Sequence, residues 1–435
     1  MKLGIISTGE EVLSGQIIDT NAAWISEFLG SRGMPVNWRY TVGDRLEDLI
    51  ACFRERGGSA DAVIVNGGLG PTSDDLCGEA MARAMGEPLV ISPVWEASLR
   101  GRFAALGRSM EDANLKQALL PRSAELIDNP IGTACGFVVD FKGSLFYFTP
   151  GVPAEMKRMV EGPILAHLRE RFRQTWVVKL KRLHCFGLAE SRLGRMLEEI
   201  ALPAGVSFGY RTHLPINEIK IMGLGEDEAL LADRVEETAA RVREKVGAFL
   251  AFEDDDRFAS HVQRLMIAGG FTLALAESCT GGMLSSQLVD IPGSSAYLER
   301  AYVTYSNRAK SEMIGVPAEL IERQGAVSTA VARAMARAAQ RGASVSHALA
   351  ITGVAGPDGG SEDKPVGSVG LALATQTEVF TQFLSLPRWG RSKIRQLSAA
   401  IALDMLRRHL AALPVFAEYD YSRVVERDRR PVRET

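Results

Sequence analysis

Between positions 276 and 286 the chain reads AESCTGGMLSS. A hydroxyl (Ser278), a thiol (Cys279) and a second hydroxyl (Thr280) are followed at once by Gly281 and Gly282. The preceding run Phe271–Ala276 (FTLALA) is short, apolar and preceded by Gly269 and Gly270, the pattern of a buried strand. Beyond the glycines, Met283, Leu284, Leu288 and Val289 recur at helical spacing. The stretch therefore reads as a strand-to-helix turn, whose backbone N–H groups are free to face an anion. On residue type alone three readings stay open: Ser278 as a nucleophile, Cys279 as one, or a tight turn without chemistry.

A serine nucleophile needs a base. None of the six histidines (His167, His184, His213, His261, His347, His409) sits in a Gly-rich turn of the last part of the chain. His347 opens a strand pattern and reads as structural, and His409, after Arg407 and Arg408 on a terminal helix, reads as solvated. A lysine can serve if burial or neighbouring cations hold it neutral. TYSNRAK (304–310) supplies Lys310 just past a strand; the alternative for it is a solvated surface lysine. ITGVAGPDGG (351–360) and KPVGSVG (364–370) add a further strand with a Gly/Pro-rich turn. There Thr352 can donate a hydroxyl and its neighbours backbone N–H groups to a phosphate or oxyanion. WGRSKIRQ (389–396) puts Arg391 and Arg395 four apart on one helix face, either aimed at one anion or simply exposed.

A second candidate lies near the N-terminus. AVIVN (62–66) reads as a buried strand and runs into GGLGPTSDD (67–75). In an open α/β sheet, ligands bind at the carboxyl ends of strands, and glycines such as Gly67, Gly68 and Gly70 let backbone approach a phosphate closely. The loop has neither the Gly-Lys-Ser/Thr of a Walker loop nor the third glycine of the dinucleotide fingerprint. It offers Asp74 and Asp75 instead. Paired carboxylates beside such a loop suit Mg²⁺ or Mn²⁺ shared with the substrate, or one of them caps the following helix. Glu10, Glu11, Asp44, Asn114, Lys116 and Gln117 sit at other strand ends.

These turns imply a scaffold. At 435 residues the chain calls for two or three domains. Strand–helix alternation in its first and last thirds implies three-layer α/β domains with mostly parallel sheets. The texture changes near 175: WVVKLKRLHCF (176–186), ESRLGRMLEEI, VSFGYRT and NEIKIMGLG precede a long helix, as in a small α+β domain. EDDDR (253–257) marks a joint. The domains are drawn at 1–170, 171–253 and 257–413, with 414–435 as a loose polar tail, charged and poor in apolar residues. A net charge of −3 gives no basic footprint for nucleic acid or anionic membrane. No segment has the length of a membrane span, and MKLGIISTGEE reads as a first strand, not a signal peptide. Five scattered cysteines (Cys52, Cys77, Cys135, Cys185, Cys279) support neither a zinc site nor a disulfide framework, and fit a reducing cytoplasm.

The motifs also carry a resemblance. TGEEVLSGQIIDTN, TVGD, NGGLGPTSDD, NLKQA, NPIGTACGF and TPGVPAEM, in that order, resemble the N-terminal domain of the competence/damage-inducible CinA family, itself similar to molybdopterin-binding domains. The middle segment resembles the KH-type module of longer members, without the GxxG loop that clamps nucleic acid, which favours a spacer or dimer element. AESCTGG, TYSNRAK, ITGVAGPDGG with KPVGSVG, and GRSKIR resemble the C-terminal CinA domain, similar to nicotinamide mononucleotide deamidase.

For the C-terminal domain the resemblance implies hydrolysis of the amide of nicotinamide mononucleotide without a cofactor. It makes Ser278 the nucleophile and Lys310 its base. Tyr305, Thr352 and Arg391 complete the site, and Thr280, Gly281, Gly282, Gly353, Gly356 and Arg395 line it. Cys279 is then a packing residue, because a neighbour on a turn points elsewhere. For the N-terminal domain it implies an ADP-ribose pyrophosphatase dependent on Mg²⁺, Mn²⁺ or Co²⁺. Glu11, Asp44, Asp74 and Asp75 would meet the metal, and Gly67, Gly68, Gly70, Thr72, Asn21, Asn114 and Lys116 the substrate. A homodimer is a further implication. Departures from the family pattern stand at Cys77, where Thr is usual, at Ala134–Cys135–Gly136 for Ala-Pro-Gly, and at Trp389–Gly390–Arg391 for Gly-Asp-Arg. Two other readings are an active deamidase with an N-terminal domain kept for binding or dimerisation, and a regulatory protein linked to competence.

Overall fold

The computed structural model describes residues 1–105, 107, 109–172, 177–254 and 256–432. Trp176, Asp255 and the last three residues of the tail, named above, lie outside the described residues.

The N-terminal domain contributes β1 (Leu3–Thr8), β2 (Val36–Val42), β3 (Ala62–Asn66), β4 (Leu89–Ile91), β5 (Leu119–Pro121), β6 (Glu125–Ile127), β7 (Gly136–Phe141) and β8 (Ser144–Thr149). Six of them form one sheet in the order β2-β1-β3-β8-β7-β6, and β4 pairs with β5 apart from it. The first three ladders are parallel and the last two antiparallel. β1 and β3 are buried along their whole length, as strands covered on both faces must be. Alternate residues serve opposite layers. Ile6, Val63 and Val65 pack with Phe53, Met81 and Trp95. Leu3, Ile5 and Ile64 pack with Ile25, Leu29 and Met156. This period of two makes the three-layer build.

The small domain holds β9 (Val177–Phe186), β10 (Val206–His213), β11 (Ile216–Gly225) and β12 (Leu250–Glu253) in the order β10-β11-β9-β12. Its helices Glu190–Glu198 and Glu228–Val246 bury Leu193, Leu197, Val235 and Val242 against the sheet. The chain forms two compact units, Met1–Lys179 with Leu224–Glu228, and Leu180–Gly223 with Ala229–Thr435. Most of the small domain therefore belongs to the same unit as the C-terminal domain. Within that unit Asp404, fully buried, pairs with Arg407 at 2.7 Å and Arg408 at 2.6 Å. Both arginines donate to the Ala248 carbonyl of the small domain, at 3.0 and 2.9 Å.

The C-terminal sheet contains β13 (Leu273–Glu277), β14 (Leu298–Val303), β15 (His347–Gly353), β16 (Ser368–Ala374), β17 (Glu378–Ser385) and β18 (Arg423–Pro431), in the order β14-β13-β15-β16-β17-β18. β14, β13 and β15 run parallel. The rest is antiparallel, because the links from β15 to β16 and from β16 to β17 carry no crossover helix. Ala274, Ala276, Ala348 and Ala350 face the Ala-rich helix Thr329–Ala343, whereas Leu273, Leu275, Leu349 and Ile351 face the helix Arg391–Leu410.

Two expectations are corrected here. Residues 423–431 of the tail form an edge strand, antiparallel to β17, and Tyr419 just before it is buried. Its charges are matched: Glu426 accepts from the Thr329 hydroxyl, Asp428 binds Arg333 and Arg429 binds Glu378. A polar, charged sequence is what an edge strand tolerates. His409 is half-buried rather than solvated, its ring 5.3 Å from that of His347 and 6.0 Å from that of Phe380.

Candidate active site

β13 ends in the turn Ser278–Gly282, and the helix Met283–Val289 follows. Gly281 and Gly282 take φ of 58° and 89°, a left-handed region open to glycine at no steric cost. At the end of β14, Ser306 caps the helix Asn307–Ile314 by accepting from the Ala309 amide at 3.0 Å. That helix turns Lys310 inward until it is 1% exposed.

Its Nζ lies 2.9 Å from Ser278 Oγ, 3.0 Å from the Thr304 carbonyl and 3.5 Å from the Tyr305 carbonyl. Burial holds the lysine pKa below its ordinary value. A neutral amine has two N–H groups for the two carbonyls and a lone pair left for the Ser278 hydroxyl. Ser278 itself is held by its amide, which donates to the Ile351 carbonyl at 2.9 Å. Cys279 is buried, and burial pushes its thiol up to about 12, so a thiolate is disfavoured there. A Cβ on Gly353 would come within 3.1 Å of the Cys279 sulfur, so that thiol fills the gap against β15.

The helix N-terminus after the turn is not free for a ligand anion. The Glu277 carboxylate, 1% exposed, accepts from the amides of Gly282 at 3.1 Å, Leu284 at 3.1 Å and Ser285 at 2.8 Å. The turn's own carboxylate thus fills the anion position expected for substrate. Among the described residues the Thr280 amide has no acceptor, and the Cys279 amide faces its own sulfur. Glu277 was missed by the sequence reading. The signal was an acid closing an otherwise apolar strand, because a buried carboxylate demands partners.

The remaining site residues fall as follows. Tyr305 is exposed, and its hydroxyl accepts from Arg391 Nη2 at 2.8 Å; Arg391 Nη1 donates to the Gly356 carbonyl at 2.7 Å. Arg395 Nη2 donates to the Thr280 carbonyl at 2.6 Å, and its Nε is buried without a partner among the described residues. Arg391 and Arg395 are therefore tied to three of the site loops. Thr352 is buried at the end of β15, its hydroxyl donating to the Ala326 carbonyl at 2.8 Å.

In the N-terminal domain a cavity of about 390 Å³ is lined by Glu11, Asp44, Gly67, Gly68, Gly70, Asp74, Asp75 and Glu155, among others. Burial, and beyond it the carboxylates of Glu11, Asp74 and Glu10, raise the pKa of Asp44. Asp75 accepts from the Thr72 amide at 2.9 Å, closing the loop rather than capping the next helix. Lys116 donates to the Thr72 carbonyl. Asn21 and Asn114 are not lining residues of this cavity. Asn21 donates to Asn66 and the Gly151 carbonyl, and Asn114 accepts from the Glu111 amide within a capping box. A Cβ on Gly68 would stand 2.5 Å from Cys77 Sγ, so the buried thiol supports the loop from beneath. Among the described residues no group of three or more His, Cys, Asp or Glu could hold a metal ion. The set fits an ion that keeps its waters and is shared with phosphate oxygens rather than one caged by protein.

Comparison with known proteins places these sites in a family. Residues 4–170 match the profile described as probable molybdopterin binding domain, and residues 255–410 the CinA C-terminal domain. A CinA-like protein of Shewanella denitrificans is 47% identical over 419 residues, 96% of this chain and 98% of that protein. A protein of Shewanella oneidensis named nicotinamide-nucleotide amidohydrolase PncC is 48% identical with the same coverage. Among solved structures, the protein CinA of Thermoplasma acidophilum, described as of unknown function, is 33% identical, covering 39% of this chain and 96% of its own, with a TM-score of 0.36. Among the described residues no helix is long and apolar enough to cross a membrane.

Proposed function

This chain belongs to the CinA family, and from that premise we propose that its C-terminal domain hydrolyses the carboxamide of nicotinamide mononucleotide to nicotinate mononucleotide and ammonia. The contact that carries this reading is the 2.9 Å approach of buried Lys310 to Ser278. Neutral Lys310 takes the Ser278 proton as Oγ attacks the amide carbon. The amides of Cys279 and Thr280 receive the oxyanion. Lys310 returns the proton to nitrogen, the C–N bond breaks, ammonia leaves and an ester remains on Ser278. Water, deprotonated by the same lysine, hydrolyses that ester. Tyr305 and Thr352 shape the site and Arg391 meets the phosphate. The reading is tested by ammonia release from nicotinamide mononucleotide by the full-length protein; no release would end it.

A second reading concerns the N-terminal cavity, favoured by its crowded carboxylates. We propose that it hydrolyses ADP-ribose with a divalent cation (Mg²⁺, Mn²⁺ or Co²⁺). Asp44 and Asp74, with waters and pyrophosphate oxygens, would hold the cation, which would offset pyrophosphate charge and lower the pKa of a bound water. Gly67, Gly68 and Gly70 leave room for the phosphates. Asp44→Asn should abolish ADP-ribose hydrolysis and weaken Mn²⁺ binding measured by calorimetry; both surviving would clear the cavity of this chemistry.

A further inference from the structure

A second cleft lies in the unit that holds Ser278, where the β10–β11 hairpin faces the C-terminal domain. Its volume is about 540 Å³, within the usual range for small-molecule sites. Ser278, Lys310 and Arg391 are not among its lining residues. Leu214, Pro215 and Ile216 of the hairpin, with Phe258 and Leu403, give it an apolar floor.

Charge enters from two sides. Arg211 comes from β10, and Arg257 from the residue just before the helix Phe258–Ala268. Among the described residues neither guanidinium has a hydrogen-bond or ion-pair partner. Two acids of the cleft are matched: Glu218 by Arg182 at 3.3 Å, Asp256 by Arg264 at 2.5 Å. Asp290 is the acid left over. The unmatched charge is thus two guanidiniums, from different domains, against one carboxylate, and each guanidinium presents a planar fork suited to phosphate.

We propose that this cleft binds a small organic phosphate of mononucleotide size, its anionic end between Arg211 and Arg257 and its flat ring on the apolar floor. The proposal stands or falls apart from the amidase reading, because its readout is binding. Full-length Ser278→Ala protein is titrated calorimetrically with AMP and, separately, with inorganic phosphate. Saturable AMP binding is expected, weakened at least tenfold in Arg211→Ala and in Arg257→Ala. Inorganic phosphate should bind at least tenfold more weakly than AMP. Both arginines are exposed, so their variants should keep the parent melting temperature. The absence of AMP binding at millimolar concentration, or binding untouched by both arginine changes, would overturn the site. Phosphate binding as tight as AMP would overturn the role of the floor.

Discussion

Lys310 Nζ stands 2.9 Å from Ser278 Oγ while the lysine is 1% exposed. An exposed lysine would be charged near neutral pH and could not accept a proton; burial lowers its pKa and frees the lone pair. Turnover should therefore rise with pH along a single ionisation set below the ordinary lysine value of 10.5. Lys310→Met should lower kcat by about 10²–10⁴, and that limb should vanish from the residual rate. An unchanged pH profile would remove Lys310 from the reaction.

Glu277 should matter without touching substrate. Glu277→Gln turns one acceptor oxygen into an NH₂ facing the three amides of Gly282, Leu284 and Ser285. Losing part of that set should destabilise the protein by about 1–3 kcal/mol and lower kcat more than it raises KM, because the turn carries the nucleophile. A thermal melt and a kcat–KM comparison check both; a parent-like melt and kcat would show the carboxylate to be dispensable.

Acid should loosen the C-terminal domain through His347. Burial, and beyond it His409, depress its pKa from 6.5 to about 4 in the folded chain. The unfolded chain then binds the proton first, so stability is full above pH 6.5 and falls as pH drops through about 4. The full effect is about 3 kcal/mol. Denaturant midpoints between pH 7 and pH 4 should fall more steeply in the parent than in His347→Gln; equal slopes would rule this residue out.

The tail should be part of the fold. Truncation after Leu413 exposes the β17 edge and removes Tyr419, whose hydroxyl donates to buried Asp404 at 2.9 Å. The shortened chain should melt lower by at least several degrees or fail to fold. A melt equal to the parent would restore the loose tail read from composition.

That tail shows where sequence stops being legible. The turns were legible because Gly281, Gly282, Gly67 and Gly68 stand close behind the end of an apolar run, and strand-to-turn signals are local. Ser278 stood in such a turn and Lys310 just past a strand, and the fold brought them together. β18 was hidden because its charges are matched by Thr329, Arg333 and Glu378, distant in sequence. His409 read as solvated for the same reason: its ring neighbours His347 and Phe380 belong to the folded chain alone. Glu277 was visible as a residue, yet its role depends on the chain curling back so that three amides face it.

The most direct measurement compares Ser278→Ala with Cys279→Ala in ammonia release from nicotinamide mononucleotide, each variant first shown to melt like the parent. Ser278→Ala should lose at least about 10³ in kcat, as removal of a covalent nucleophile does, while Cys279→Ala stays within a few-fold of the parent. Activity retained in Ser278→Ala and lost in Cys279→Ala would contradict the account.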